Sequence, residues 1–188
     1  MKKEERSGLV SNTPTQMEVE AFFLEDPQFW HDLSRLQLQV VRTYKQGGKI
    51  LVAGTGASEI CSHQLVQGLL HTGYANDAPL FAHAVSLQEG HQASLLHAFL
   101  QQCRPNDLFI AISISGFSPI LLECLQICKT LGGIPAALTG KSGGKMTTVS
   151  DICLRVPTVD TPRILDTYGL IGEMLCMELE RSVDPQVH

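Results

Sequence analysis

Five short apolar runs constrain this chain more than any other feature: KILVAG (49–54), PLFAHAV (79–85), DLFIAIS (107–113), IPAALTG (134–140) and ICLRVP (152–157). Runs of this length without polar alternation suit strands covered on both faces. Helical stretches at about 58–70, 92–102 and 120–131 separate the first four, and a last one covers about 163–180. Strands alternating with helices predict an α/β doubly wound fold with a parallel sheet. In such a sheet, ligands lie beyond the carboxyl ends of the strands, near the point where the strand order reverses.

Ahead of the first run, Phe29, Trp30, Leu33, Leu36, Val40, Val41 and Tyr44 recur at helical spacing, and Gly47-Gly48 supplies a stop. The reading divides the chain into a polar, flexible start (1–16), a helical arm (17–47), the α/β domain (48–182) and a short tail (183–188).

Charge and cysteine usage narrow the function. A net charge of −5 argues against a broad nucleic-acid footprint. No apolar stretch is long enough to span a membrane, and the charged start has no apolar segment of the kind found in signal peptides. The six cysteines form no Cys-x-x-Cys pair and no zinc-finger spacing, so a redox reading lacks its cysteine pair and a cytoplasmic location is expected.

Three strand ends share one chemistry. AGTGASE (53–59) has Gly54 and Gly56 ahead of Ser58, SISGFS (113–118) sets three hydroxyls around Gly116, and LTGKSGGKM (138–146) adds Thr139 and a glycine pair. Glycines let the backbone approach a ligand, while hydroxyls and helix-start N–H groups donate to an anion. None of the three is a dinucleotide fingerprint or a P-loop. Each alone also reads as a tight turn with a serine cap. The surplus of hydroxyls in SISGFS favours an anion cradle, and a phosphate fits it.

In this order GGKILVAGTGAS, NDLFIAISISGFS, AALTGKSGGKM, SDICLRVP and PRILD resemble the sugar isomerase (SIS) domain over about 35–182, most of all its phosphoheptose isomerase branch. The resemblance implies a flavodoxin-like five-stranded parallel sheet that binds a phosphosugar. It puts phosphate-binding groups at Ser58, Ser113, Ser115, Gly116, Ser118 and Thr139. It also implies a homo-oligomer, a tetramer or dimer, with the N-terminal helix and its aromatics packed on a neighbour. A relative that binds the replication initiator makes a protein partner a further expectation.

Catalysis is read differently. The isomerase branch places a His and a Glu four apart on the helix after the first turn, and a Gln and a His on the last helix, with zinc in some members. Gapless counting from Ser58 puts Gln64, Gly68, Leu165 and Glu173 at those positions. Glu59, His63 and Gln67 share a helix face, but one residue out of register, about 100° of rotation. Two functions stay open. One is a phosphosugar-binding protein without the standard catalytic set. The other is an aldose–ketose phosphate isomerase with a rearranged site, its base Glu59, Glu173 or Asp166 and its acid His63, with zinc only if that site is restored.

Overall fold

The structure, a computed structural model, describes residues 26–75, 80–86, 97 and 100–183. The expected tail at 1–16, the front of the arm, most of the helix expected at 92–102 and the end at 184–188 lie outside them.

Helix α1, Pro27–Lys45, starts where the Asp26 side chain accepts from the N–H groups of Gln28 (3.0 Å) and Phe29 (3.2 Å), with proline at the first helical position. It ends in a Schellman motif: Gly47 takes φ +67°, and the N–H groups of Gly47 and Gly48 reach back to the carbonyls of Tyr44 and Thr43. The chain continues as β1 Lys49–Gly54, α2 Ser58–Ala75, β2 Phe81–Ser86, β3 Leu108–Ser113, α3 Pro119–Thr130, β4 Ile134–Thr139, a short turn of helix α4 Met146–Val149, β5 Ile152–Arg155 and α5 Thr161–Val183. Strand order is β2-β1-β3-β4-β5, and every pairing is parallel. The doubly wound fold is therefore confirmed. Its reversal of order lies between β1 and β3, so the turns after those strands are neighbours.

Alternation along the strands explains the apolar runs. Ile50, Val52, Leu108, Ile110, Ile112 and Leu138 face α1, α2 and α5, whereas Leu51, Ala53, Phe109, Ala111 and Ala137 face α3 and α4. Both faces are covered, so neither set is polar. Phe29 is buried and Trp30 half-buried, their rings edge to face at 5.4 Å, and both pack on this chain's own core. Phe29 is thus committed to this chain's own core, while Phe22 and Phe23 of the expected arm lie outside the described residues. Among the described residues no helix is long and apolar enough to cross a membrane.

One buried carboxylate ties the sheet's amino-terminal edge together. Asp107 accepts from the backbone N–H groups of Lys49 (2.7 Å) and Arg104 (2.9 Å) and pairs with the Lys49 ammonium. Burial alone would raise its pKa; the hydrogen bonds from Lys49 and Arg104 outweigh burial and hold it below the ordinary carboxylate value. Asp107→Ala is expected to cost about 3–5 kcal/mol at neutral pH, because the partners lose a buried acceptor. A depressed folded-state pKa means that this contribution is complete above the unfolded value of about 3.9 and is lost as pH falls through the folded value. Urea titrations at pH 7 and pH 3 should show the gap between variant and wild type narrowing at the lower pH. An equal gap at both would contradict the assignment.

Candidate functional site

The turn after β3 is built around its own hydroxyls. The Gly116 N–H donates to both the carbonyl (3.2 Å) and the hydroxyl oxygen (3.3 Å) of Ser113, and the Phe117 N–H donates to the Ser115 hydroxyl oxygen (3.2 Å). By accepting, each hydroxyl fixes the loop and keeps its own proton to donate. Ser118 is the N-cap residue of α3 but makes no capping hydrogen bond with its side chain, so that hydroxyl is not consumed by the helix. The positive end of α3 opens onto the same turn.

The third turn locks onto the second. Gly116 has φ +69°, and a Cβ there would fall 2.1 Å from the Gly143 carbonyl oxygen; a Cβ at Gly144 (φ +55°) would fall 2.5 Å from the carbonyl oxygens of Gly116 and Ser115. The Met146 N–H donates to the Gly116 carbonyl (3.2 Å), and the Gly140 N–H to that of Ile114 (3.0 Å). The glycines are needed because two backbones touch. β4 places Thr139 beside Ser113 in register, fully buried, with its hydroxyl 3.8 Å from the Cys153 sulfur.

The first turn completes the group. Gly54 pairs with Ile112, and its own lack of a side chain admits the first turn of α2, where a Cβ would meet the Ser58 carbonyl oxygen at 2.2 Å. The Ser58 hydroxyl is fully buried and has no hydrogen-bond partner among the described residues. An orphaned hydroxyl costs about 1–3 kcal/mol, and such groups mark functional positions. Ser58, Ser113, Ser115, Gly116, Ser118 and Thr139 are thus all gathered at the switch point.

Beside this lies a feature the sequence did not disclose, a cleft of about 380 Å³ between α2 and α5. Its walls include Cys61, Gln64, Gly68, Gly172, Glu173 and Cys176. Of the catalytic candidates, Glu173 lines it, whereas Glu59 and His63 do not; the His63 ring sits 3.0 Å from the Glu59 backbone carbonyl on an exposed part of α2. α2 runs to Ala75, past the end expected near residue 70, and within it Gly68 is a packing site: a Cβ there would fall 2.7 Å from the Cys176 sulfur. Burial, then the carboxylates of Glu173 and Glu180, pushes the Cys176 thiol up to about 11, and burial also raises Cys61. Burial thus works against the thiolate form of both cysteines.

Comparisons agree with this layout. A family model of the SIS domain matches residues 43–177. The phosphoheptose isomerase of Aneurinibacillus thermoaerophilus is 29% identical over 183 residues, 92% of each chain. Phosphoheptose isomerase 2 of Campylobacter jejuni is 31% identical over 176 residues, 88% of this chain and 87% of its own. Among solved structures, a phosphoheptose isomerase from Francisella tularensis superposes with a TM-score of 0.71 at 23% identity, covering 89% of this chain and 99% of that one. At that identity the superposition speaks for the fold.

Proposed function

The chain belongs to the SIS-domain family, close to the phosphoheptose isomerases, and from that premise we propose that it binds a sugar phosphate at the switch-point cradle without the isomerases' standard acid–base set. The observation that carries the binding half is the interlock of the second and third turns beside the unpartnered Ser58 hydroxyl. Donor hydroxyls, helix-start N–H groups and closely approaching glycine backbone suit a dianionic phosphate.

The catalytic half rests on the cleft. Isomerisation needs a base to carry a proton between adjacent carbons and an acid to polarise the carbonyl. At the positions that the resemblance assigns to this work stand Gln64, Gly68, Leu165 and Glu173, and the Cys176 sulfur sits against Gly68 where a longer side chain would begin. A zinc ion does not fit this donor set: only Glu173 of the four brings a charge, and among the described residues no group of three His, Cys, Asp or Glu is arranged to hold a metal. The second reading, an isomerase with a rearranged site, draws on one observation: Glu173 faces the cleft opposite Gln64 and is placed to act as a base. A cytoplasmic homo-oligomer, dimer or tetramer, with room for a protein partner, belongs to the same proposal.

Thermal unfolding tests the binding half. Sedoheptulose 7-phosphate or another member of a sugar-phosphate panel, at about 100 times its Kd, is expected to raise the melting temperature by about 5–10 °C. Ser115→Ala should remove the shift. No shift with any sugar phosphate would sink the cradle.

A further inference from the structure

The amino-terminal edge of the sheet, opposite the cradle, carries an arrangement that sugar binding does not use. Cys103, just before β3, and Cys128, in the last turn of α3, place their sulfurs 3.8 Å apart although 25 residues separate them. This corrects the expectation that the chain lacks a cysteine pair. Gly133 makes the juxtaposition possible: a Cβ there would fall 2.4 Å from the Cys103 sulfur and 2.8 Å from that of Cys128. The other described cysteines show no such sulfur–sulfur approach.

The two thiols are chemically unequal. The hydrogen bond shared with Cys128 lowers the Cys103 thiol pKa against burial and the Asp107 carboxylate, with the Lys49 ammonium in support. The same contact, with burial, pushes Cys128 up. Cys103 retains 8% exposure beside the exposed Gln101, Gln102 and Arg104, while Cys128 is fully enclosed. Of the two residues, only Cys103 keeps any exposure to solvent.

We propose that Cys103 and Cys128 are a peroxide-responsive thiol pair that closes to a disulfide, a modification site distinct from the sugar-phosphate cradle. The Cys103 thiolate attacks one oxygen of hydrogen peroxide; the S–O bond forms as the O–O bond breaks, and the departing hydroxide takes up a proton to leave as water. The Cys128 sulfur then attacks the Cys103 sulfur, its proton passing to the departing hydroxyl, which leaves as a second water. Two thiols and one peroxide give one disulfide and two waters. Closure shortens the sulfur separation from 3.8 Å to about 2.05 Å. The product staples the last turn of α3 to the segment that leads into β3.

The test treats the folded full-length protein with a few equivalents of hydrogen peroxide, alkylates it under denaturing conditions and maps chymotryptic peptides by mass spectrometry. The Cys103 and Cys128 peptides are expected joined, lighter by two hydrogens and separable by dithiothreitol, with Cys61, Cys124, Cys153 and Cys176 alkylated. Cys128→Ser, or Cys128→Ala should the serine variant not fold, is expected to stop at a Cys103 sulfenic acid that dimedone captures. Cys103→Ser should leave Cys128 reduced. The proposal is overturned if Cys103 and Cys128 stay alkylatable while another cysteine oxidises, if either joins a different partner, or if Cys128 oxidises equally in Cys103→Ser.

Discussion

Gly116→Ala is expected to destabilise the protein by about 2–6 kcal/mol and to abolish sugar-phosphate binding. Two costs add. The residue sits at φ +69°, where a side chain is strained, and its Cβ would meet the Gly143 carbonyl oxygen at 2.1 Å and the carbonyl carbon at 2.5 Å. Each costs about 1–3 kcal/mol, and the second cannot be relieved by a rotamer change because the obstacle is backbone. Relief requires the third turn to move away from the second, which spreads the hydroxyls of Ser113, Ser115 and Ser118. The matching control is Gly169→Ala in α5, where a Cβ meets nothing within 4 Å. That variant is expected to be neutral or up to about 1 kcal/mol more stable, since alanine favours helix. Urea titration and ligand-induced melting shifts on both variants decide. A Gly116→Ala variant that melts and binds like wild type would show that the turns do not interlock.

The second large effect is on turnover. Side by side with the Aneurinibacillus thermoaerophilus phosphoheptose isomerase, this chain is expected to show kcat/KM for sedoheptulose 7-phosphate lower by at least about 10⁴-fold. General acid and general base each contribute about 10²–10⁴, and the positions that the resemblance assigns to them hold Gln64, Gly68, Leu165 and Glu173. Glu173 is the one remaining carboxylate there. A rate approaching that of the relative, eliminated by Glu173→Gln, would establish the rearranged isomerase instead. A rate that survives Glu173→Gln, Glu59→Gln and His63→Ala would contradict both readings of the site.

Much of this was visible in the sequence, for reasons the structure makes plain. The five apolar runs mapped onto the five strands because β1, β3 and β4 are covered on both faces, while the edge strands β2 and β5 keep one face on the core and expose Phe81, His83 and Arg155 on the other. The Gly47-Gly48 stop and the hydroxyls around Gly116 were legible because caps and turns are local devices. What was missed is what depends on distance in the fold. Glu59 and His63 looked like a functional pair because they share a helix spacing, but the side of α2 that forms the cleft carries Cys61, Gln64 and Gly68. The packing role of Gly68 is equally remote, since the space a side chain would fill there is taken by the Cys176 sulfur from α5. The Cys103–Cys128 contact spans 25 residues and a helix, so no spacing rule reports it. Of the aromatics at helical spacing in α1, Phe29 is committed to this chain's own core, which spacing alone does not show.

The central claim, that the switch-point turns grip a phosphosugar, is tested most directly by a crystal structure grown with sedoheptulose 7-phosphate. The phosphate group is expected within hydrogen-bond distance of the Ser113, Ser115 and Ser118 hydroxyls and the first N–H groups of α3. Phosphate density elsewhere on the molecule, or an empty cradle at saturating ligand, would contradict it.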